Sequence, residues 1–140
     1  MSWLLSDTPC EGRVLVVDDE EQIRKVVGMT LKKAGYDVQE AEDGKRAIEV
    51  LNEGENPLMV DVIICDIRMP KISGTEAIAY FRSQYPSTPV VVLTGYPDVQ
   101  LATSLLKGGV AEYLVKPVDR DKLLGAVKAA MEKREMFSKT

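Results

Sequence analysis

The residues able to do chemistry in this chain fall at four places: the acidic run Asp18-Asp19-Glu20, the single carboxylate Asp66, the hydroxyl of Thr94, and Lys116. Each follows a short apolar run. Val14-Leu15-Val16-Val17 precedes the three acids, Val62-Ile63-Ile64-Cys65 precedes Asp66, Val90-Val91-Val92-Leu93 precedes Thr94, and Ala111 to Val115 precedes Lys116. Taken singly, each has a plain structural explanation. Asp66 could cap a loop or a helix, and Asp19 or Glu20 could complement the positive N-terminus of a following helix. Three consecutive acids exceed what a helix start needs. Carboxylates brought close together repel one another, and their burial raises a pKa or demands a cation. Hard oxygen donors suit magnesium, with manganese as a substitute. A lysine supplies a point charge suited to phosphate, and a threonine hydroxyl can donate to a phosphoryl oxygen. Gathered in one place, these groups would form a phosphoryl-transfer site with a carboxylate as nucleophile.

Composition narrows the alternatives. The chain has 140 residues, enough for one domain with a real core. It contains no histidine, which excludes Ser-His-Asp and Cys-His catalysis and histidine-ligated zinc within this chain. Cys10 and Cys65 are far apart and form no metal or disulfide pattern, so Cys65 reads as a small buried hydrophobe. A net charge of −4 and the lack of any long basic run argue against direct nucleic-acid binding. No apolar span approaches the ~18 residues of a membrane helix. Trp3-Leu4-Leu5 is too short and uncharged for a secretory signal, so a cytoplasmic protein is expected.

The elements that must position the four sites alternate strictly. Strands are expected at Arg13 to Val17, Tyr36 to Ala41, Val60 to Cys65, Pro89 to Leu93 and Ala111 to Val115. Between them, helical stripes run through Ile23, Val26, Val27, Thr30, Leu31 and Ala34; then Ala47, Ile48 and Leu51; then Ala77, Ile78 and Phe81. A fourth stripe carries Val99, Ala102, Leu105 and Leu106, and a fifth Leu123, Leu124, Val127 and Met131. Asp43 and Asp119 read as caps, Ser73 or Gly74 as the start of the third helix, and Gly35 as the stop of the first. Five strands alternating with five helices predict an α/β domain with right-handed crossovers. The first, third and fourth strands are the most apolar and should be central. A parallel five-stranded sheet in order 2-1-3-4-5 satisfies this, giving a flavodoxin-like (βα)5 three-layer sandwich. Its topological switch lies between strands one and three, the two that end in Asp18-Asp19 and Asp66.

With these residues in place, the chain resembles a response-regulator receiver domain of two-component signalling over about residues 12 to 135, with a lead-in at 1–11 and a tail at 136–140. Asp18-Asp19, Asp66 with Met69-Pro70 and Gly74, Thr94-Gly95 and Lys116-Pro117 carry the resemblance, each weak alone and specific in order. It implies that Asp66 accepts a phosphoryl group from a histidine on a sensor kinase or a histidine phosphotransfer protein. It further implies that Asp18 or Asp19, the Asp66 carboxylate and the Arg68 backbone carbonyl hold magnesium. Thr94 and Tyr113 would form a conformational switch, and Lys116 would contact the phosphoryl group. The readout would pass to an output domain or downstream protein through the fourth helix, fifth strand and fifth helix. Gln100, Thr103, Ser104 and Lys107 make the outer face of that fourth helix, where ordinary solvated surface is the plain reading. The plain reading of Tyr113 is an amphipathic edge-strand residue.

Arg68 and Tyr96 stand two residues after Asp66 and Thr94, at positions that vary in such domains and border the phosphoryl group. A long cation and an aromatic there would shield the acyl phosphate from water or compete with magnesium's counter-charge, implying an adduct of intermediate to long life. Ser73 replaces an acid frequent at that position but caps a helix equally well.

Three competing readings are weaker. Haloacid-dehalogenase-like hydrolases want D-x-D after the first strand, where this chain has Asp18-Asp19-Glu20. Neither a P-loop nor a dinucleotide glycine pattern occurs. A degenerate receiver used only for docking would not be expected to keep the full acid, hydroxyl and lysine set. The domain is therefore expected to catalyse only its own phosphorylation and dephosphorylation. With Glu132 to Thr140 after the last stripe, it is either a stand-alone regulator or part of a longer protein.

Overall fold

Val90, Val91 and Val92 are wholly buried in succession, which requires a strand covered on both faces. They belong to β4 (Val90–Thr94). The computed structural model describes residues 11–68 and 74–139. Trp3, Cys10, Met69-Pro70 and Ser73 lie outside the described residues. The other strands are β1 (Arg13–Val17), β2 (Asp37–Ala41), β3 (Val60–Cys65) and β5 (Glu112–Val115). They form one sheet in the order β2-β1-β3-β4-β5, with every neighbouring pair parallel. The order and the central placement of the three apolar strands are as the sequence predicts. The partly buried β2 occupies one edge.

The period-2 alternation of the strands divides the core in two. Leu15, Val17, Ile63, Cys65 and Val92 face one layer, with Ala47, Leu51, Ala77, Ile78 and Phe81. Val14, Val16, Val62, Ile64, Val91 and Leu93 face the other, with Val27, Leu31, Leu123 and Val127. The helices supplying these residues are α1 (Glu21–Lys33) and α6 (Arg120–Lys139) on one side, and α2 (Gly44–Leu51) and α4 (Gly74–Gln84) on the other. Asp43 caps α2 by accepting the Arg46 N–H at 2.8 Å, and Asp119 accepts the Lys122 N–H at 2.7 Å at the head of α6.

The structure differs from the sequence reading in four respects. A one-turn helix, α3 (Asn56–Met59), precedes β3, because Pro57 stands where a helix tolerates it and its missing N–H is no loss. The helix expected fourth is therefore α5 (Val99–Lys107), and the fifth is α6. Val26 is exposed rather than inward. Helix α1 is turned so that Gly28 faces the edge strand, with the Val38 and Glu40 side chains closest to its open side. Val99 and Leu106 are also exposed, and α5 contacts the core through the half-buried Leu101 and Leu105 instead. That helix lies at the β5 edge, where it meets less apolar surface than a central strand offers. Finally, α6 continues through Lys139, past the boundary expected at residue 135.

Candidate functional site

Strand register brings the acids together. Val17, the last residue of β1, is paired with Cys65, the last of β3, so Asp18 and Asp66 leave the sheet side by side. The ladder extends one residue further on each strand: the Asp18 N–H donates to the Ala41 carbonyl at 3.1 Å, and the Asp66 N–H to the Val17 carbonyl at 3.0 Å. On the other side, Thr94 pairs with Val115, and the Lys116 N–H donates to the Thr94 carbonyl at 2.8 Å. The backbone thus fixes where all four side chains start.

Asp18 and Asp66 are buried, 2% and 3% exposed. Lys116 spans them: its Nζ lies 2.7 Å from Asp18 Oδ2 and 3.0 Å from Asp66 Oδ2, with Glu20 Oε1 at 3.4 Å. Burial pushes the Asp18 carboxyl above its usual range, against the hydrogen bonds it accepts from Lys116 and from the Glu20 N–H, while the charge of Asp66 adds to the rise. Burial works to lower the Lys116 pKa, but its bonds to Asp18 and Asp66 override this and hold it above the ordinary lysine value. The lysine therefore stays charged. Cys65 beside them is buried, and burial together with the charges of Asp66 and Asp18 pushes its thiol pKa up, leaving an inert hydrophobe.

The ligand atoms of Asp18, Asp19, Glu20 and Asp66 lie within 4.8 Å of one another. An all-oxygen, all-carboxylate donor set with two members exposed fits magnesium or manganese, which keep several waters, and does not fit a soft metal. Glu20 belongs to this cluster although it was not singled out as a ligand in the sequence; the run of three acids was the signal. The Asp18 Oδ1 accepts the Glu20 N–H at 2.9 Å, so the first acid also shapes the loop that carries the other two. Arg24, unremarked in the sequence, steadies the same loop by donating to the Asp18 carbonyl at 2.7 Å and pairing with Glu40 at 3.1 Å.

A cleft of about 260 Å³ opens over the cluster, lined by Asp19, Glu20, Asp66, Arg68 and Tyr96. The Arg68 N–H donates to Asp66 Oδ1 at 3.1 Å. Its guanidinium carbon sits 4.3 Å from the centroid of the Tyr96 ring, so the two residues singled out together in the sequence meet across the mouth. Thr94 is fully buried and its hydroxyl accepts the Tyr96 N–H at 3.0 Å. Tyr113 is half-buried on β5 and packs against the core with Leu101 and Leu105, while its hydroxyl accepts the Asp98 N–H at 3.3 Å. Gly74 is essential in another way. A Cβ there would lie 2.1 Å from the Asp66 carbonyl oxygen and 2.3 Å from Ile67 Cα, so only glycine lets α4 start this close to the β3 exit.

A family model for the response regulator receiver domain matches residues 14–128. The regulatory protein AtoC of Escherichia coli K12 is 32% identical over 125 residues, which cover 89% of this chain and 26% of that protein. The chain spans 26% of the length of the first curated relatives it matches. Among solved structures, a response regulator receiver domain protein of Clostridium thermocellum superposes with a TM-score of 0.84 at 31% identity, covering 90% of this chain and 98% of that one. The chemotaxis protein CheY4 of Vibrio cholerae gives 0.76 at 35% identity, covering 85% and 98%.

Proposed function

The chain belongs to the response regulator receiver domain family, whose members act as phosphoacceptors in two-component signalling, and from that premise we propose that Asp66 is its phosphoacceptor. The observation that carries this reading is the Lys116 ammonium held between two buried carboxylates, 2.7 Å from Asp18 and 3.0 Å from Asp66. In the reaction, an Asp66 carboxylate oxygen attacks the phosphorus of a phosphohistidine on a sensor kinase or phosphotransfer protein. The P–N bond breaks, the imidazole leaves, and a P–O bond forms an acyl phosphate on Asp66. Lys116 gives up its bond to the carboxylate oxygen and neutralises a phosphoryl oxygen, a role that its permanent charge suits. Asp18, Asp19, Asp66 and the Arg68 backbone carbonyl would hold magnesium, with Glu20 alongside. When bound, the ion supplies Lewis-acid neutralisation of the transferring oxygens.

The Thr94 hydroxyl then leaves the Tyr96 N–H, from which it accepts, and donates its own proton to a phosphoryl oxygen, and Tyr113 moves into the space behind it. For this exchange to act as a switch, the phosphoryl contacts must favour one loop arrangement over the other. The face that reports it is α5, β5 and α6. Val99, Leu106 and Val115 are exposed there, and Gln100, Thr103, Ser104 and Lys107 stand exposed on the same helix, a mixture suited to a protein partner or output domain. The domain works in the cytoplasm, catalyses only its own phosphorylation and dephosphorylation, and binds neither nucleic acid nor membrane directly. Incubation with magnesium and a small acyl-phosphate donor, followed by intact mass measurement, tests the reading. One phosphoryl group should be added to the native chain, and none to Asp66→Asn or in chelator. Uptake by Asp66→Asn would move the acceptor elsewhere.

A further inference from the structure

We propose that Tyr96 is a positioning residue that keeps the Arg68 guanidinium off the carboxylate cluster, so that the cluster stays free for a divalent cation. The inference rests on the metal site proposed above and concerns how this chain protects it. Arg68 begins two residues after Asp66, with its N–H on the Asp66 carboxylate at 3.1 Å, and it lines the same cleft as the exposed Asp19 and Glu20. A guanidinium is the side chain best shaped to grip carboxylates in a bidentate pair. The cluster already holds one permanent cation, Lys116, in contact with three of its acids. A second cation from Arg68 would further reduce the net negative charge of the four carboxylates and would occupy oxygens that a metal needs.

The ring of Tyr96 offers Arg68 another place to go. The guanidinium carbon lies 4.3 Å from the ring centroid, within cation–π range. Tyr96 is 58% exposed, so core packing does not explain an aromatic at this position. Its backbone is anchored instead: the N–H donates to the buried Thr94 hydroxyl at 3.0 Å, which fixes the platform at the end of β4. The stack therefore joins the β3 exit to the β4 exit and holds the arginine at the rim of the cleft.

Magnesium titration by calorimetry at fixed ionic strength tests this, using the native chain, Tyr96→Ala, Tyr96→Phe, Arg68→Ala and the Arg68→Ala/Tyr96→Ala double variant. Losing an exposed cation–π contact corresponds to a roughly two- to fivefold change. Tyr96→Ala should weaken magnesium binding by that factor, and Tyr96→Phe should match the native chain. In the Arg68→Ala background the ring should no longer matter. The Arg68 Nε–H resonance should carry a ring-current shift in the native chain and lose it in Tyr96→Ala. Both residues are exposed, so melting temperatures in chelator should stay within a few degrees across the set, which excludes misfolding as the cause. Unchanged affinity in Tyr96→Ala, or an equal loss with Arg68 already removed, overturns the proposal. A native chain that binds no magnesium would overturn the metal site and this inference together; native binding without the variant pattern overturns this inference alone.

Discussion

Lys116→Met is the substitution that most directly tests the electrostatics of the site. The lysine side chain is 10% exposed, and the side chains of its partners Asp18 and Asp66 only 3% and 4%. Methionine keeps most of the stem and removes only the charge. An exposed ion pair would cost about 0–1 kcal/mol to lose, whereas breaking a buried one costs about 3–5 kcal/mol because a charge is left uncompensated. Here two carboxylates are left, beneath a cleft that water can enter, so about 3 kcal/mol is expected at neutral pH in chelator. For a domain of this size that lowers the melting temperature by about 10 °C. Two conditions should narrow the gap from the native chain. Magnesium replaces the missing cation: with Lys116 gone it should bind the cluster more tightly than in the native chain, and so stabilise the variant by more than the ~2.7 kcal/mol that the native chain gains at about a hundred times its dissociation constant. Acid does so by protonation. The Asp18 carboxyl titrates above its ordinary 3.8 in the folded chain, so the folded state binds more protons there, and stability from this group falls as pH rises through the raised pKa. Without Lys116, that pKa loses its main depressing partner and rises further. The variant should therefore recover toward native stability as pH falls toward the ordinary aspartate range. Urea unfolding in chelator, with and without magnesium and across pH, measures all of this. A loss below about 1 kcal/mol, or one indifferent to both pH and magnesium, would refute the buried-pair account.

Gly74→Ala should be disproportionately harmful for a single methyl group. With its Cβ 2.1 Å from the Asp66 carbonyl oxygen, α4 or the Asp66 loop must move. Overpacking of this kind costs about 1–3 kcal/mol, and the displaced Asp66 should take the phosphoryl group from a small acyl-phosphate donor more slowly even where urea unfolding shows a folded domain. Unaltered phosphorylation in Gly74→Ala would mean the loop yields freely. At the mouth of the site, Arg68→Asn and Tyr96→Glu should change the decay rate of the Asp66 adduct, followed by intact mass after the donor is removed. If the rate stays the same in both, the cation and the ring do not shield the acyl phosphate.

The parts of this molecule legible in its sequence are those dictated locally or by a strong period. Val90-Val91-Val92, short and β-branched, reads as a doubly covered strand, and a carboxylate directly after such a run falls at a strand end. Asp18, Asp66, Thr94 and Lys116 therefore fall together once the relative apolarity of the strands sets their order. The faces of α1 and α5 were harder to read. Val26 and Leu106 fit a helical stripe as well as Gly28 and Leu101 do, and which residues turn inward is decided by what the sheet offers opposite them. At the β2 edge the helix answers with a glycine; beside β5 it answers with two half-buried leucines. The Arg68–Tyr96 stack was illegible for a related reason. Each residue could be assigned to the rim by counting from Asp66 and Thr94, but their meeting depends on β3 and β4 being neighbours in register, Cys65 opposite Val92. Sequence spacing gave each side chain's starting point, whereas the contact belongs to the sheet. The same holds for Glu20: as the last of three acids it looked like a helix N-terminal charge, yet across the site its carboxylate reaches Lys116 from the far end of the chain. The chemistry of this domain thus sits where local signals end and parallel register begins.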